Sequence, residues 1–301
     1  MIYRNLGKTG IMVSEVGMGC NRLGESNQPD THWIKLAQMA VDLGVNIFDT
    51  AEAYGWGRSE EMLGHAVGNR SDVYIATKMC RVHEINKTDF SAARMAQTVE
   101  GSLKRLKRDC IDIYQLHSPN RRDMESFDWA DGMAKLKKQG KIRFCAVAVN
   151  SADDGIWLME KDIVEVLQIT YNIFETEAQD KLFDVAKRHG VGLLCRMPLA
   201  RGVLTGKFHP DQEIPEGHRA LLDKQHLIKR IKIVKALQSI AEKYEGGMTR
   251  MALHFSLTPK AISAIIPGAR AFDQLKENVS ASNGVGLPDH ILNKLKQFNA
   301  G

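Results

Sequence analysis

Asp49, Tyr54, Lys78 and His117 are the side chains that could do chemistry as a set. An isolated tyrosine titrates near pH ~10 and is a weak acid at neutrality. A buried lysine beside it would favour the phenolate and lower that value. A carboxylate next to the lysine would keep it charged and fix its place. A histidine could orient a carbonyl oxygen or assist proton transfer. The four together suit protonation of an alkoxide that develops on a carbonyl. They do not suit metal-dependent hydrolysis, which would need more than one histidine at the site.

Their positions agree with one mouth. Short runs rich in Val and Ile alternate with amphipathic stretches along the chain. Val16–Cys20, Val45–Asp49, Val73–Lys78, Ile111–His117, Ile142–Val149, Val164–Thr170, Val191–Met197 and Ala261–Ile266 read as strands of a buried parallel sheet. Asp49, Lys78 and His117 then end three successive strands, and Tyr54 follows Asp49 closely enough to fold back over it. Helical spacing lies between the strands. Thr31 is an expected cap for a helix that buries Leu36, Ala37, Ala40 and Val41 and stops at Gly44. Thr88 is an expected cap for one carrying Met95, Val99, Leu103 and Leu106. Leu182, Val185 and Ala186 run to a stop at Gly190, and Leu227, Ile231, Val234 and Ala241 mark a late helix.

Eight strand–helix units predict an α/β fold, a (β/α)₈ TIM barrel forming a single domain over residues 1–301. Residues 1–14 read as an N-terminal β-hairpin turning at Gly7 and Gly10. Residues 203–225 read as a long loop after strand 7, and residues 287–298 as a C-terminal helix. A doubly wound sheet is the competing fold. Its usual GxGxxG is incomplete here, since Gly17-Met18-Gly19-Cys20-Asn21-Arg22 has the first two glycines alone.

Composition narrows the function classes. The chain is 44% hydrophobic and 26% charged, with 41 basic and 36 acidic residues dispersed along it. A formal charge of +5 is too slight a bias for nucleic acid or an anionic membrane. No run reaches the ~18–20 apolar residues of a membrane span, and Met1–Asn5 leads into no apolar signal segment. The five cysteines are scattered, without CxxC or zinc spacing. A cytoplasmic protein with reduced thiols, no metal and a small-molecule substrate is expected, as a monomer rather than an oligomer.

Asn46-Ile47-Phe48-Asp49-Thr50-Ala51-Glu52-Ala53-Tyr54-Gly55, with Ser59-Glu60 and Leu63-Gly64 beyond, closely resembles the signature of the aldo-keto reductases. Ile75-Ala76-Thr77-Lys78, Asp112-Ile113-Tyr114-Gln115-Leu116-His117-Ser118-Pro119 and the opening Leu6-Gly7-Lys8-Thr9-Gly10 resemble the same family. The likeness covers nearly the whole chain. It implies an NADP(H)-dependent oxidoreductase that carries hydride from C4 of the nicotinamide to an aldehyde or ketone, or back from the matching alcohol. Tyr54 would be the general acid, Lys78 and Asp49 would tune it, and His117 would orient the substrate. Trp56 is a candidate wall of the substrate pocket, or packing for its own loop.

The resemblance also implies a coenzyme site. Gly19, Cys20, Asn21 and Asp49 would border it. Gln168 matches the residue that holds the nicotinamide amide. Pro198, Leu199, Ala200, Gly202, Leu204 and Lys207 fall in the stretch that covers the pyrophosphate, with Arg219 adding a phosphate contact. Gly268, Arg270, Gln274 and Asn278 match the adenosine end, where Arg270 would read a 2′-phosphate or else pair with Asp273 or Glu277. The family pattern is broken at two places. Relatives often carry Ser-Asn after the strand that begins Lys141-Ile142-Arg143; this chain reads Ala148-Val149-Asn150, which leaves Asn150 as the candidate for the amide clamp. Where an aromatic often stacks on the nicotinamide, this chain has Arg196, whose guanidinium can also lie flat on a ring. Two further readings stay open: a Schiff-base aldolase using Lys78, and an NADP(H)-binding regulatory subunit of the potassium-channel β type with little turnover.

Overall fold

The computed structural model describes residues 1–79, 81–82, 87–208, 224–295 and 298. Its centre is an eight-stranded parallel sheet, in order, of β3 (Met18–Gly19), β4 (Ile47–Asp49), β5 (Tyr74–Met79), β8 (Ile111–His117), β9 (Ile142–Ala148), β10 (Val166–Thr170), β11 (Gly192–Arg196) and β12 (Ile262–Ile266). The sheet closes on itself through the parallel bridges Val16–Ile265 and Gly19–Gly268. All eight expected strands are therefore present, and the doubly wound alternative is not adopted. Between β5 and β8 lies a small antiparallel pair that the sequence did not signal, β6 (Arg81–Val82) with β7 (Lys87–Thr88).

Strand periodicity sorts the side chains by depth. Each Cβ points to the opposite face from the one before, so every second residue enters the barrel. Ile47, Ala76, Ile113, Ala146, Val166, Leu194 and Ala264 form an apolar floor inside it. The next inward positions, two residues on, are Asp49, Lys78, Gln115, Ala148, Gln168, Arg196 and Ile266. The alternate residues, among them Phe48, Ile75, Tyr114, Leu116, Val147, Leu167, Ile169, Leu193 and Cys195, pack outwards against the helices.

An N-terminal hairpin plugs the barrel's other end. β1 (Tyr3–Asn5) pairs antiparallel with β2 (Met12–Ser14), and Leu6, Ile11 and Val13 join the apolar floor. Gly7 makes the docking possible. Its φ is +55°, and an added Cβ would stand 2.4 Å from Gly190 O and Gly192 N. The Lys8 amide donates to Gly190 O at 2.7 Å. With that end sealed, the mouth at the strands' C-terminal ends is left for chemistry.

The helices follow the expected spacing, with their caps displaced. In α1 (Asp30–Asp42) Trp33, Leu36, Ala37 and Ala40 are buried. Val41 is partly exposed, and Thr31 lies inside the helix, whose N-cap is Pro29. In α3 (Ala92–Leu106) Met95, Val99, Leu103 and Leu106 are buried as expected. Its cap is Ser91, whose hydroxyl accepts from the Arg94 amide, while Thr88 is drawn into β7. α8 (Phe183–His189) ends at Gly190 in the left-handed region, and α9 (Lys224–Ala241) buries Leu227, Ile231, Val234 and Ala241. After β11 a 3₁₀ helix (Ala200–Thr205) opens the segment expected as a loop; residues 209–223 lie outside the described residues. α11 (Phe272–Val279) follows β12, and the expected final helix is α12 (Asp289–Leu295). No described helix is long and apolar enough to cross a membrane.

Candidate active site

Lys78 is the centre of the mouth. It is inside the barrel on β5, wholly shielded from solvent. A bare ammonium there would suffer a large desolvation penalty, so its three N–H groups need acceptors. They meet Asp49 Oδ2 at 2.6 Å, Thr50 O at 2.8 Å and the Tyr54 hydroxyl at 3.5 Å. Burial alone would depress the ammonium, but the carboxylate and the phenol oxygen outweigh it and hold the lysine charged.

Asp49 is held as firmly. Its Oδ1 accepts from Gln168 Nε2 at 2.7 Å and from Gln115 Nε2 at 3.1 Å. Pairing also continues past the strand ends, with the Thr50 amide donating to Ala76 O and the Glu52 amide to Lys78 O. This ties the chain after β4 to β5 before the turn at Tyr54, which explains how a residue five positions beyond a strand returns over that strand's end. The Tyr54 ring meets the His117 ring edge to face, centroids 5.6 Å apart, and Lys78 Nζ stands 5.0 Å from the Tyr54 centroid. The four residues singled out in the sequence thus converge.

One expectation about them is met in sign and outweighed in effect. Burial pushes the Tyr54 phenol up from its ordinary value; Lys78 pulls the other way and Asp49 adds to the rise. The lysine offsets part of the cost of burial and does not overcome it. The phenol is therefore protonated at neutral pH, the form in which it can donate.

Gln115 escaped the sequence reading. The signal was its spacing: it precedes His117 by two residues on the same strand and so shares the inward face. Gln168, matched by resemblance to a nicotinamide contact, gives one of its two amide N–H groups to Asp49. Asn150 is likewise engaged, donating to Ser118 O at 3.3 Å and accepting from Arg196. Ala148 is fully buried and offers no polar group.

Arg196 spans this side of the mouth. Its guanidinium donates to Thr170 Oγ1 (3.1 Å), Ser118 Oγ (2.8 Å), Val149 O (3.0 Å) and Asn150 Oδ1 (3.0 Å). These acceptors lie at the ends of β8, β9 and β10, so one side chain laces four neighbouring strands.

The segment expected to hold the pyrophosphate turns sharply. Met197, Ala200, Arg201 and Gly202 all have positive φ. The amides of Ala200, Gly202 and Leu204 donate within the turn, and Pro198, Ala200 and Leu204 are buried while Leu199 is half-buried. The amide and carbonyl of Gly202 are both engaged inside the turn, but its missing side chain leaves the approach to a cation open: a Cβ there would stand 3.9 Å from Lys207 Nζ. That ammonium is the group here that suits an anion. Arg219 lies outside the described residues.

The remaining expected contacts sit where β3 meets β12. The Cys20 amide bonds to Asp49 O, and burial pushes the Cys20 thiol up, which makes it unreactive. Asn21 Oδ1 would lie 3.2 Å from a Cβ on Gly268, and a Cβ on Gly19 would lie 3.1 Å from Ile266 O. Asn278 donates to Gly268 O, and Gln274 accepts from the Arg270 amide, so both hold the loop's backbone. The Arg270 guanidinium pairs with Glu25 at 3.4 Å, rather than with Asp273 or Glu277. Trp56 is 49% exposed at φ +51°, close to Tyr54 in sequence and between two further left-handed residues. Among the described residues no group of three or more His, Cys, Asp or Glu is placed to hold a metal.

A barrel of this topology with Asp49, Tyr54, Lys78 and His117 at its mouth has the build of an oxidoreductase. Residues 15–300 match the model of the aldo/keto reductase family, and the chain belongs to that family. It is 32% identical to an L-galactose dehydrogenase of Arabidopsis thaliana, over 92% of this chain and 87% of that protein. It is also 29% identical to a probable voltage-gated potassium channel subunit beta of Oryza sativa, over 95% and 93%. The holo form of an aldo-keto reductase from Bacillus halodurans superposes with a TM-score of 0.84, at 27% identity, covering all of this chain and 97% of that one.

Proposed function

We propose that this protein reduces an aldehyde or ketone with NADP(H), Tyr54 donating the proton to the carbonyl oxygen. The observation that carries this reading is the Lys78 ammonium, shared between Asp49 and the Tyr54 hydroxyl in a water-shielded layer. In reduction, the carbonyl oxygen gains negative charge as hydride reaches its carbon. The phenol gives up its proton to that oxygen, and the phenolate left behind is stabilised by the adjacent ammonium. Asp49 keeps the ammonium in place, and Gln115 and Gln168 keep Asp49 in place. His117 stands edge-on to the phenol and can hold the carbonyl oxygen beside it.

The coenzyme supplies the hydride. Lys207, approached over Gly202, would hold its diphosphate, and Arg270 its 2′-phosphate, at the seam of β3 and β12. Trp56 would wall the substrate pocket. The reading is tested by mixing the protein with NADPH and a panel of aldehydes, sugars and quinones and following loss of nicotinamide absorbance. Tyr54→Phe should lower kcat about 10²–10⁴-fold with NADPH affinity nearly unchanged; a variant that kept more than about a tenth of the rate would remove Tyr54 from the acid role.

The relation to a channel β subunit supports a second reading, in which coenzyme binds and turnover is negligible. Tight NADPH binding without reduction of any carbonyl in the panel would favour it. Borohydride trapping of a substrate on Lys78 would favour aldolase chemistry; its short bond to Asp49, which keeps the amine protonated, argues against a free nucleophile.

A further inference from the structure

Arg196 is bound edge-on by four neutral oxygens: two hydroxyls, a backbone carbonyl and a side-chain amide. Those bonds use four of its five N–H donors and fix the guanidinium without cancelling its charge. What it has left for a ligand is a flat cationic face. The nearest carboxylate inside the barrel, Asp49, is already paired with Lys78. Glu175, near the end of β10, is engaged by Arg230 and Asn172. The Asp49, Lys78 and Arg196 group therefore carries one net positive charge at the mouth.

Hydride transfer places a ring beside that charge. The reacting carbons must approach to roughly 3–3.5 Å while the carbonyl oxygen touches Tyr54. In the coenzyme reading the nicotinamide would lie across the mouth from Tyr54, on the side where Arg196 spans the ends of β8, β9 and β10. The oxidised ring is a pyridinium cation and the reduced ring is neutral.

We propose that Arg196 makes the coenzyme site select by redox state, binding the reduced nicotinamide in preference to the oxidised one. The inference rests on the coenzyme reading above. The flat face suits either ring, but like charges repel the pyridinium. At an effective dielectric of about 20, two unit charges about 4 Å apart would shift binding by more than a hundredfold. Solvent at the mouth screens this to a readable preference of about tenfold. The chain would then load NADPH readily and release NADP⁺ easily, which favours the reductive direction.

The test is calorimetric titration of the wild type with NADPH, NADP⁺ and 2′-phospho-ADP-ribose, which lacks the nicotinamide. NADPH should bind about tenfold tighter than NADP⁺, and NADP⁺ no tighter than the ringless fragment. In Arg196→Gln the ratio of the two dissociation constants should fall at least fivefold, through improved NADP⁺ binding. Arg196→Lys, which keeps the charge, should preserve most of it. NADP⁺ binding as tightly as NADPH in the wild type, or an unchanged ratio in a folded Arg196→Gln protein, would overturn the proposal. Failure of all three ligands to bind would instead overturn the coenzyme reading and this inference with it. The wild-type comparison stands even where the glutamine variant does not fold.

Discussion

The Lys78 ammonium lies 2.6 Å from the Asp49 carboxylate, and both are closed off from water at the head of the barrel's apolar floor. Such a pair is weak in net stabilisation, because desolvation offsets most of the attraction. Breaking it is costly, since one charge is left buried alone.

Lys78→Met is therefore expected to destabilise the fold by about 3–5 kcal/mol as well as to abolish reduction. Lys78→Met combined with Asp49→Asn removes both charges. It should recover most of the stability and none of the activity. Denaturant unfolding and steady-state rates on the three proteins check this. A double variant no more stable than Lys78→Met would mean that packing, not charge, accounts for the loss.

Gln115 is expected to act by positioning Asp49. Gln115→Met should leave substrate and coenzyme affinity nearly unchanged and lower kcat, with Gln168 still holding the carboxylate. Hydrogen bonds to charged groups contribute about 1.5–3 kcal/mol, so a 10- to 100-fold loss is the ceiling. Gln115→Glu would set a second carboxylate against Asp49 and should be worse than Met. A change in KM with kcat intact would place Gln115 at the substrate instead.

Residues such as Gln115 show where sequence reading stops. The eight strands were legible because Val- and Ile-rich runs recur at one strand–helix interval. The quartet was legible because its members end successive strands. Period-2 alternation implied that Gln115 shares a face with His117, but not which carboxylate it would find across the barrel. Arg196 was matched to a ring-stacking place, yet its four acceptors come from segments between 26 and 78 residues away. Cap positions failed because type alone does not choose between neighbours: Thr88 and Ser91 are both cap-forming residues, and strand pairing draws Thr88 into β7 and leaves Ser91 to cap α3. The pull of Lys78 on Tyr54 was legible because its proximity can be read from strand ends, whereas the depth of burial that outweighs it was not.

Glu25 is expected to moderate coenzyme choice through Arg270. Its carboxylate holds the guanidinium that would otherwise be available to a 2′-phosphate, and repels that phosphate as well. Glu25→Gln should tighten NADPH binding several-fold and leave NADH nearly unchanged. Arg270→Ala should weaken NADPH about 10- to 100-fold, the scale of one charge-assisted contact. Fluorescence titration with both coenzymes checks the pair. Equal effects on NADPH and NADH would mean that this cluster does not read the phosphate.

His254 should make the fold sensitive to mild acid. It is buried in α10 (Gly247–Leu257), with Nδ1 2.6 Å from the Tyr244 hydroxyl and Nε2 3.0 Å from Ala281 O. Burial pushes its pKa down; the bond to Ala281 O pulls it back up in part, and the nearby Arg250 cation lowers it further. The folded value is thus below the unfolded one, near ~6.5. Above pH ~6.5 the imidazole is neutral in both states and its stabilising contribution is complete. As pH falls below that value the unfolded chain takes up the proton first, so stability declines until the folded value is passed. Tm measured between pH 7.5 and 5 should fall more steeply in the wild type than in His254→Gln, which cannot titrate. The variant will be less stable at pH 7.5 because it loses the paired contacts, so the slopes, not the absolute Tm values, carry the comparison. Parallel slopes would show that His254 protonation does not contribute to acid sensitivity and that carboxylates account for all of it.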